Sequence, residues 1–267
     1  MNNYLLIISL VLAGCQTVLT DVEVPEIETK VVFYGNYTNL KLTNDVSVTY
    51  SKPILNSSSS AGFETVKGLT IKVTGNGTEL NHVYDPLIDA YTYPLPMDFI
   101  PGKDYKLLIT NSDGTEITAQ EQMPAAISNF THTYKLQTNE FEDILEFEFE
   151  MDDNENDTNY YRIEVFATSE KDTLNLYTDF NYFDDRRAEN GKIKGKFTTY
   201  FWSEALGENT EYYVVVSHIN NSHYIFGKAL EDYNPDNPFS EPVPLPNNIK
   251  GGIGLFSLSN SHMVKLK

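Results

Sequence analysis

Apolar and polar residues alternate along most of the chain, with the two-residue period of a half-buried β-strand. The clearest case has Leu145, Phe147, Phe149 and Met151 separated by glutamates. Such a strand buries one face and exposes the other, which is typical of an antiparallel sheet and not of a parallel sheet covered on both faces. The 18 tyrosines and 15 phenylalanines favour strands as well. The pattern therefore predicts an all-β protein.

Turn and capping residues divide this pattern into elements. Gly75-Asn76-Gly77 and Asn111-Ser112-Asp113-Gly114 each predict a tight hairpin between alternating segments. A single short helix is predicted over residues 223–231, because an apolar stripe follows the capping residues 220–222. We expect that helix to close one end of a sandwich. Whether the aromatic-rich segment 174–202 forms strands or an insertion stays open.

Two similar segments predict a repeated architecture. Tyr105 and Tyr212 each follow a turn and precede an apolar strand, as in the tyrosine corner of Greek-key sandwiches. Their separation is close to one sandwich domain of roughly 100 residues. We predict two tandem immunoglobulin- or fibronectin-like antiparallel β-sandwiches, over residues 30–125 and 126–233. The alternative is that tyrosines precede strands by chance in a tyrosine-rich chain.

The C-terminal part of the chain has a different composition. Residues 234–246 contain five prolines, which cannot pair in the interior of a sheet. Gly251, Gly252 and Gly254 follow, and glycines allow positive φ and close backbone approach. We predict a Pro/Gly-rich tail over residues 234–267 that packs on the sandwiches, with Phe256 docked in a core.

The chain begins with an apolar run that ends at its only cysteine. The run is too short to cross a bilayer, which needs about 20 residues, and Leu12-Ala13-Gly14-Cys15 resembles the lipobox of bacterial lipoproteins. The resemblance implies that residues 1–14 are a signal peptide and that Cys15 is acylated by several chains, which anchor stably in the outer membrane. The alternative is a buried free cysteine beside an uncleaved apolar start.

Charge limits the partners that the protein can bind. The chain has 19 basic and 38 acidic residues and a net charge of −19. This argues against nucleic acid, which requires clustered Lys and Arg. Residues 15–29 form a predicted acidic tether. Acidic residues after a lipidated cysteine resemble the surface-export signal of some Gram-negative lipoproteins, which favours the outer surface and leaves the periplasmic leaflet open.

Common catalytic motifs are absent from the sequence: it has no Gly-x-Ser-x-Gly, no His-Glu-x-x-His and no phosphate-binding glycine loop. His218 and His223 do not have a standard metal-ligand spacing. Oxygen ligands crowd one segment that suits Ca²⁺, although a solvated turn explains it equally simply; its residues are Asp152, Asp153, Asn154, Asn156 and Asp157. Asp172-Thr173-Leu174 resembles a bacterial O-glycosylation acceptor motif, with Thr173 as the acceptor.

Two groups of residues carry a resemblance to a known family: Pro101, Gly102 and Tyr105 in the first half of the chain, and Asn248, Gly251, Gly252, Gly254 and Phe256 in the C-terminal segment. With these residues the chain resembles a bacterial lipoprotein family labelled only as a domain of unknown function (number forty-two forty-nine). Members resemble accessory lipoproteins found beside TonB-dependent outer-membrane receptors. The resemblance implies a role in uptake or surface assembly, with a TonB-dependent receptor or another envelope protein as partner. It supplies no catalytic residues.

These observations favour a non-enzymatic accessory protein of an outer-membrane receptor or transport complex, with no cofactor apart from the candidate Ca²⁺. The alternative is an adhesin or glycan-binding module. Aromatic side chains could stack on sugars or could lie in a core; the candidates are Tyr182, Phe183, Phe201 and Trp202. A third hypothesis is an envelope hydrolase that uses a carboxylate pair.

Overall fold

The computed structural model describes most of the chain after residue 27. The described residues are 28–40, 45–52, 63–94, 98–138, 142–154, 157–169, 173–176, 181–201, 210–233 and 245–266. Cys15 and the acidic segment before residue 28 lie outside them. Nearly all of the described residues belong to one unit, which covers residues 30–51 and 61–267.

The described part of the chain is built mainly from strands, as the alternating pattern predicted. The strands are β1 (Val31–Thr38), β2 (Asp45–Tyr50), β3 (Thr70–Gly75), β4 (Thr78–Asn81), β5 (Val83–Asp85), β6 (Ala90–Thr92), β7 (Asp104–Thr110), β8 (Glu116–Gln122), β9 (Thr131–Thr138), β10 (Asp143–Asp152), β11 (Tyr160–Thr168), β12 (Thr173–Leu176), β13 (Tyr182–Asp184), β14 (Lys192–Phe201), β15 (Glu211–Ile219) and β16 (Ile253–Lys265). The helical elements within the described residues are a 3-10 turn (Asp185–Arg187) and α1 (Asn221–Asp232). The all-β prediction is confirmed, and the open segment 174–202 contains strands.

The described strands form three sheets. A nine-stranded sheet has the order β12-β11-β15-β16-β1-β2-β6-β5, with β13 also paired to β11. A four-stranded sheet, β4-β3-β7-β8, and a three-stranded sheet, β14-β10-β9, complete the described strands. Among the described strands, neighbours are antiparallel except β1 and β16, which run parallel.

Two hydrophobic cores lie against the nine-stranded sheet. The first core is formed by residues between positions 33 and 123, together with C-terminal residues, and it includes side chains from the four-stranded sheet. The second uses positions 145–216 and packs the three-stranded sheet. The cores thus follow the two halves of the sequence, but the two sandwiches share one large sheet.

The C-terminal segment joins both cores as a strand within this shared sheet. β16 pairs with β1 over Ile253 to Ser259 and with β15 over Ser259 to Lys265. Phe256 lies in the first core and Val264 in the second. We expected a tail that packs on the sandwiches with Phe256 docked in a core; Phe256 is docked as expected, but the tail also enters the sheet as a strand. Only its proline-rich part is unable to pair, and the residues after Gly252 are free to complete the sheet.

Asparagine side chains take the place of strand partners where β16 has none. Phe256 N donates to Asn248 Oδ1 (3.0 Å), and Asn248 Nδ2 donates to Phe256 O (2.7 Å). Asn220 Oδ1 accepts from Leu258 N (2.7 Å). A carboxamide carries one acceptor and a donor in the geometry of a peptide group. The motif residue Asn248 therefore extends the backbone ladder of β16 by one partner.

The glycines of the C-terminal motif allow backbones to approach closely. A Cβ on Gly254, at φ 123°, would lie 2.0 Å from Phe33 O, and a Cβ on Gly251, at φ 81°, would lie 2.8 Å from Glu116 O. A Cβ on Gly252 would lie 2.9 Å from another backbone oxygen. The motif positions in this segment are required by the fold.

The two tyrosine corners differ. Tyr105 Oη accepts from Ile100 N (2.8 Å) across the turn that contains Gly102, which is the contact predicted for a tyrosine corner. Tyr212 Oη instead donates to Asp143 Oδ2 on β10 (2.9 Å). The first corner is local, whereas the second tyrosine links the two sheets around the second core.

The helix α1 lies on the face of the nine-stranded sheet opposite the cores, against β16, β11 and β13. His223 of α1 contacts Ser257, whose side chain points away from the core residues Phe256 and Leu258. We expected the helix at the end of a sandwich. The polar, buried face of β16 provides its packing surface instead.

We predict that Asn248→Ala lowers the free energy of unfolding by about 3 kcal/mol, because it leaves the buried N–H and C=O of Phe256 without partners. Urea denaturation followed by circular dichroism measures the loss. The control is Asn81→Ala, whose exposed amide contacts only Glu79 among the described residues and which we expect to change stability by less than about 0.5 kcal/mol. Equal losses in the two variants would contradict the role of Asn248.

Candidate functional site

A polar cleft of about 300 Å³ contains part of the candidate calcium segment. Its walls are residues 125–128, residues 151–154, Tyr161 and His218. The segment 125–128 connects the two halves of the fold, whereas the other walls belong to the second sandwich. Non-local packing therefore brings the acidic segment beside a histidine and a tyrosine.

The acidic residues of the cleft are held by neighbouring side chains. Asp152 Oδ1 lies 2.5 Å from Lys192 Nζ, and Asn129 Nδ2 donates to Oδ2. The hydrogen bond from Lys192 is the main cause that lowers the pKa of Asp152. Asn159 Nδ2 donates to the carbonyl oxygens of Asn154 (3.0 Å) and Asp157 (2.7 Å). These contacts join Asn154 and Asp157, the described residues on either side of positions 155–156, to Asn159.

A cation site is not assembled within the described residues, where no group of three or more His, Cys, Asp and Glu side chains could hold a metal. Asp153 and Asn154 line the cleft, but Asn156 lies outside the described residues. The Asp152 carboxylate already forms an ion pair with Lys192. Calcium binding stays a prediction of the sequence, and the solvated-turn alternative accounts for the contacts of Asp152, Asn154 and Asp157.

His218 and Tyr161 form the uncharged wall of the cleft. Their ring centroids are 5.1 Å apart, and His218 Nδ1 lies 2.9 Å from the Ala125 carbonyl oxygen. That contact requires the proton on Nδ1 and leaves Nε2 as an acceptor. Burial lowers the pKa of His218. Burial also raises the pKa of the Tyr161 hydroxyl, and the negative charge of Asp153 raises the pKa of Tyr161 further. The cleft thus offers a neutral imidazole and a neutral phenol to a polar ligand.

His223 lies on the other face of the sheet, so it does not form a metal pair with His218. Its Nδ1 is 3.3 Å from Ser257 Oγ, and Ser257 Oγ donates to Asn36 Oδ1 (3.0 Å). Its Nε2 is buried and has no hydrogen-bond partner among the described residues. Burial, followed by the charge of Arg162, lowers the pKa of His223 to about 3.

The remaining sequence-predicted residues are dispersed. Thr173 begins β12, opposite Thr168, and its glycosylation stays a prediction. Phe183 and Phe201 lie in the second core, and Trp202 lies outside the described residues. Tyr182 is half-buried, with its ring above Gly227 of α1. These aromatic side chains do not gather into an exposed platform in the described structure.

The strand β9 forms an exposed sheet edge that the sequence pattern did not predict. Within the described residues β9 pairs only with β10, in an unbroken register from Thr131↔Glu150 to Thr138↔Asp143. Seven of its eight residues are exposed. The opposite edge strand, β14, carries Lys192, Lys194 and Lys196, which protect an edge against pairing. In β9 the only charged side chain is Lys135. The inner face of β9 carries only two apolar side chains, Tyr134 and Leu136, so the alternation signal is weak there.

A shallow groove of about 520 Å³ adjoins this edge. It is lined by residues 131–133, 148–150 and 194–196. Its charges are paired, since Lys194 Nζ lies 3.1 Å from Glu150 Oε2 and Lys196 Nζ lies 2.7 Å from Glu148 Oε1. On the inner side of the edge, His132 stacks on Phe147 at 5.5 Å. The edge therefore has neutral side-chain surfaces on both faces.

Comparison with known proteins identifies one family. The family described as "Domain of unknown function (DUF4249)" matches residues 19–264. No curated protein matches the chain. Among the described residues, no helix is long and apolar enough to cross a membrane.

We predict that the protein loses stability as pH falls from about 6.5 towards 3, because His223 binds a proton more readily in the unfolded chain than in the fold. The stability that neutral His223 contributes to the fold is present above about pH 6.5. Between pH 7.5 and 4.5 this histidine alone accounts for a loss of about 3 kcal/mol. Urea unfolding of wild type and His223→Gln at both pH values measures it. The same pH dependence in the two proteins would contradict the assignment.

Proposed function

We propose that this chain, which belongs to the DUF4249 family of domains of unknown function, is a lipid-anchored, non-enzymatic accessory protein of an outer-membrane receptor or transport complex. It acts by docking on a protein partner. The observation that carries the proposal is the open edge of β9. The description of the family supplies no reaction.

The backbone of β9 provides the affinity in this proposal. An edge strand exposes alternate N–H and C=O groups, and an extended segment of a partner can satisfy them by adding one strand. The register of β9 with β10 has no bulge, so the edge stays straight enough to continue pairing. The lysines of β14 direct addition to the β9 side of the same sheet.

Side chains beside the edge provide the specificity. Tyr134 is 42% exposed, and its hydroxyl lies 2.5 Å from Leu266 O, which fixes the ring. With His132 stacked on Phe147, it forms an aromatic surface on the inner side of the edge. Alternate side chains of an added strand would contact this surface and the groove on the outer side.

The N-terminal segment supplies the location in this proposal. Cys15 and the acidic tether over residues 15–29 hold the fold at a membrane surface. Diffusion is then restricted to the membrane plane, which raises the effective concentration of a membrane partner. A TonB-dependent receptor is the partner that the lipoprotein resemblance implies, and the outer leaflet is favoured by the acidic tether.

We predict that Thr133→Lys/Gln137→Lys reduces recovery of the partner about tenfold or more in a crosslinked pull-down from the native envelope, since two added charges protect the edge. Both residues are exposed on β9. The matched control is Thr198→Lys/Tyr200→Lys on β14, which we expect to recover the partner as wild type does. Near-stoichiometric recovery of one outer-membrane receptor supports the proposal. Equal recovery by both variants contradicts strand addition, and recovery of no protein by wild type contradicts the accessory role.

We predict that Cys15→Ala moves the protein from the membrane fraction to the soluble fraction, because the remaining chain loses every acyl group. Membrane fractionation and intact-mass measurement of the mature protein check this outcome. Wild type should carry the added mass of acyl chains on a chain that begins at residue 15. A Cys15→Ala variant that stays with the membrane, or a wild type without acyl mass, would contradict the anchor.

A further inference from the structure

The hairpin that joins β5 to β6 presents two aliphatic side chains to solvent. Leu87 is 92% exposed and Ile88 is 57% exposed at its tip, and Val83 on β5 is 67% exposed. Single exposed aliphatic residues are ordinary on protein surfaces. Two adjacent ones at the end of a short turn form a projecting apolar knob, which is the form of an anchor for an interface.

A polar network holds the knob in one conformation. Asp85 Oδ1 accepts from Leu87 N (2.9 Å). Asp89, at φ 50°, accepts from Tyr84 Oη at its carboxylate (2.5 Å) and from Thr65 Oγ1 at its carbonyl (2.5 Å). The turn therefore has contacts on both sides of the exposed pair. A turn fixed before binding loses less conformational entropy when it docks.

The charges around the knob identify the kind of surface that it fits. Asp85 and Asp89 flank the aliphatic pair in sequence, and Lys67 Nζ lies 3.7 Å from Asp89 Oδ1. The whole chain carries a net charge of −19. An anionic lipid surface would repel this end of the hairpin, and carboxylates are costly to bury among acyl chains.

We propose that Leu87 and Ile88 insert into an apolar pocket on a partner protein whose rim is basic. Strand addition at β9 is not required for this contact, because the hairpin lies at the β5 edge of the nine-stranded sheet beside the first core, whereas β9 covers the second. The knob gives the apolar contact, and the two aspartates select a positive rim by charge complementarity.

The test places a photocrosslinking amino acid at position 87 of the full, lipidated protein in its native envelope. The control carries the same amino acid at position 230, because Leu230 is 46% exposed on α1. We expect one protein to crosslink through position 87 and not through position 230, and the crosslinked peptide to map to an apolar surface flanked by Lys or Arg. No crosslink, a crosslink to a second copy of the chain, or a partner site without basic residues would overturn the proposal.

Affinity for the crosslinked partner then separates docking from mere proximity. Leu87→Ser/Ile88→Ser should bind it roughly thirtyfold more weakly than wild type, as expected for a central anchor, whereas Leu230→Ser should bind it equally. An unchanged unfolding midpoint excludes misfolding of the double variant. Equal affinity of the double variant and wild type would overturn the proposal.

Two further measurements distinguish this contact from its alternatives. Thr133→Lys/Gln137→Lys should keep the crosslink at position 87, so that failure of strand addition at β9 does not remove it. Loss of the crosslink at position 87 in this variant would contradict the claim that the hairpin contact is independent of β9. Flotation with vesicles of phosphatidylethanolamine and phosphatidylglycerol, using Cys15→Ala protein, should show no binding that depends on Leu87. Binding lost in Leu87→Ser/Ile88→Ser would assign the knob to lipid and overturn the protein pocket.

Discussion

The pairing of β16 with both β1 and β15 is the interaction on which the rest of the fold depends. β1 lies more than 200 residues before its partner, and β16 also contributes side chains to each core. Closing so long a loop costs conformational entropy before any contact offsets it. Neither core is complete until the last residues of the chain have joined the sheet. The two sandwiches are therefore coupled through one strand, although their cores use different parts of the sequence.

This arrangement explains why the C-terminal motif combines asparagines with glycines. β16 has β1 on one side only as far as Ser259 and β15 on the other side only from Ser259 onward. Each unpaired stretch is a buried edge, where an unsatisfied peptide group is costly. Asn248 supplies hydrogen-bond partners along one of these edges. Along the other edge, Asn39 Oδ1 accepts from Ser261 N (2.6 Å) and Asn39 Nδ2 donates to Ser261 O (3.0 Å). The glycines remove the Cβ atoms that would keep the backbones apart.

Local patterns predicted the parts of the fold that depend on local physics. The alternating pattern predicted which face of β10 is buried. The turn before Tyr105 predicted the tyrosine corner, in which the Tyr105 hydroxyl accepts a hydrogen bond from Ile100 N. The pattern failed at β16, because Ser257 and Ser259 are polar and yet buried beneath α1. It failed at β9 for the opposite reason, since that strand has little apolar character and pairs on one side. The cleft could not be foreseen, because tertiary packing brings together its four walls, which are residues 125–128, residues 151–154, Tyr161 and His218.

The distribution of charge connects the scaffold with its binding surfaces. A protein with a net charge of −19 repels other acidic proteins at long range, so association with a basic partner is faster at low salt. The β9 edge is nearly free of charge, and the groove beside it pairs its lysines with glutamates. Backbone hydrogen bonds to an added strand would therefore form at this edge without strong attraction or repulsion from nearby charges. In the proposals above, long-range charge favours basic partners, while the uncharged edge and the apolar hairpin each provide a separate contact.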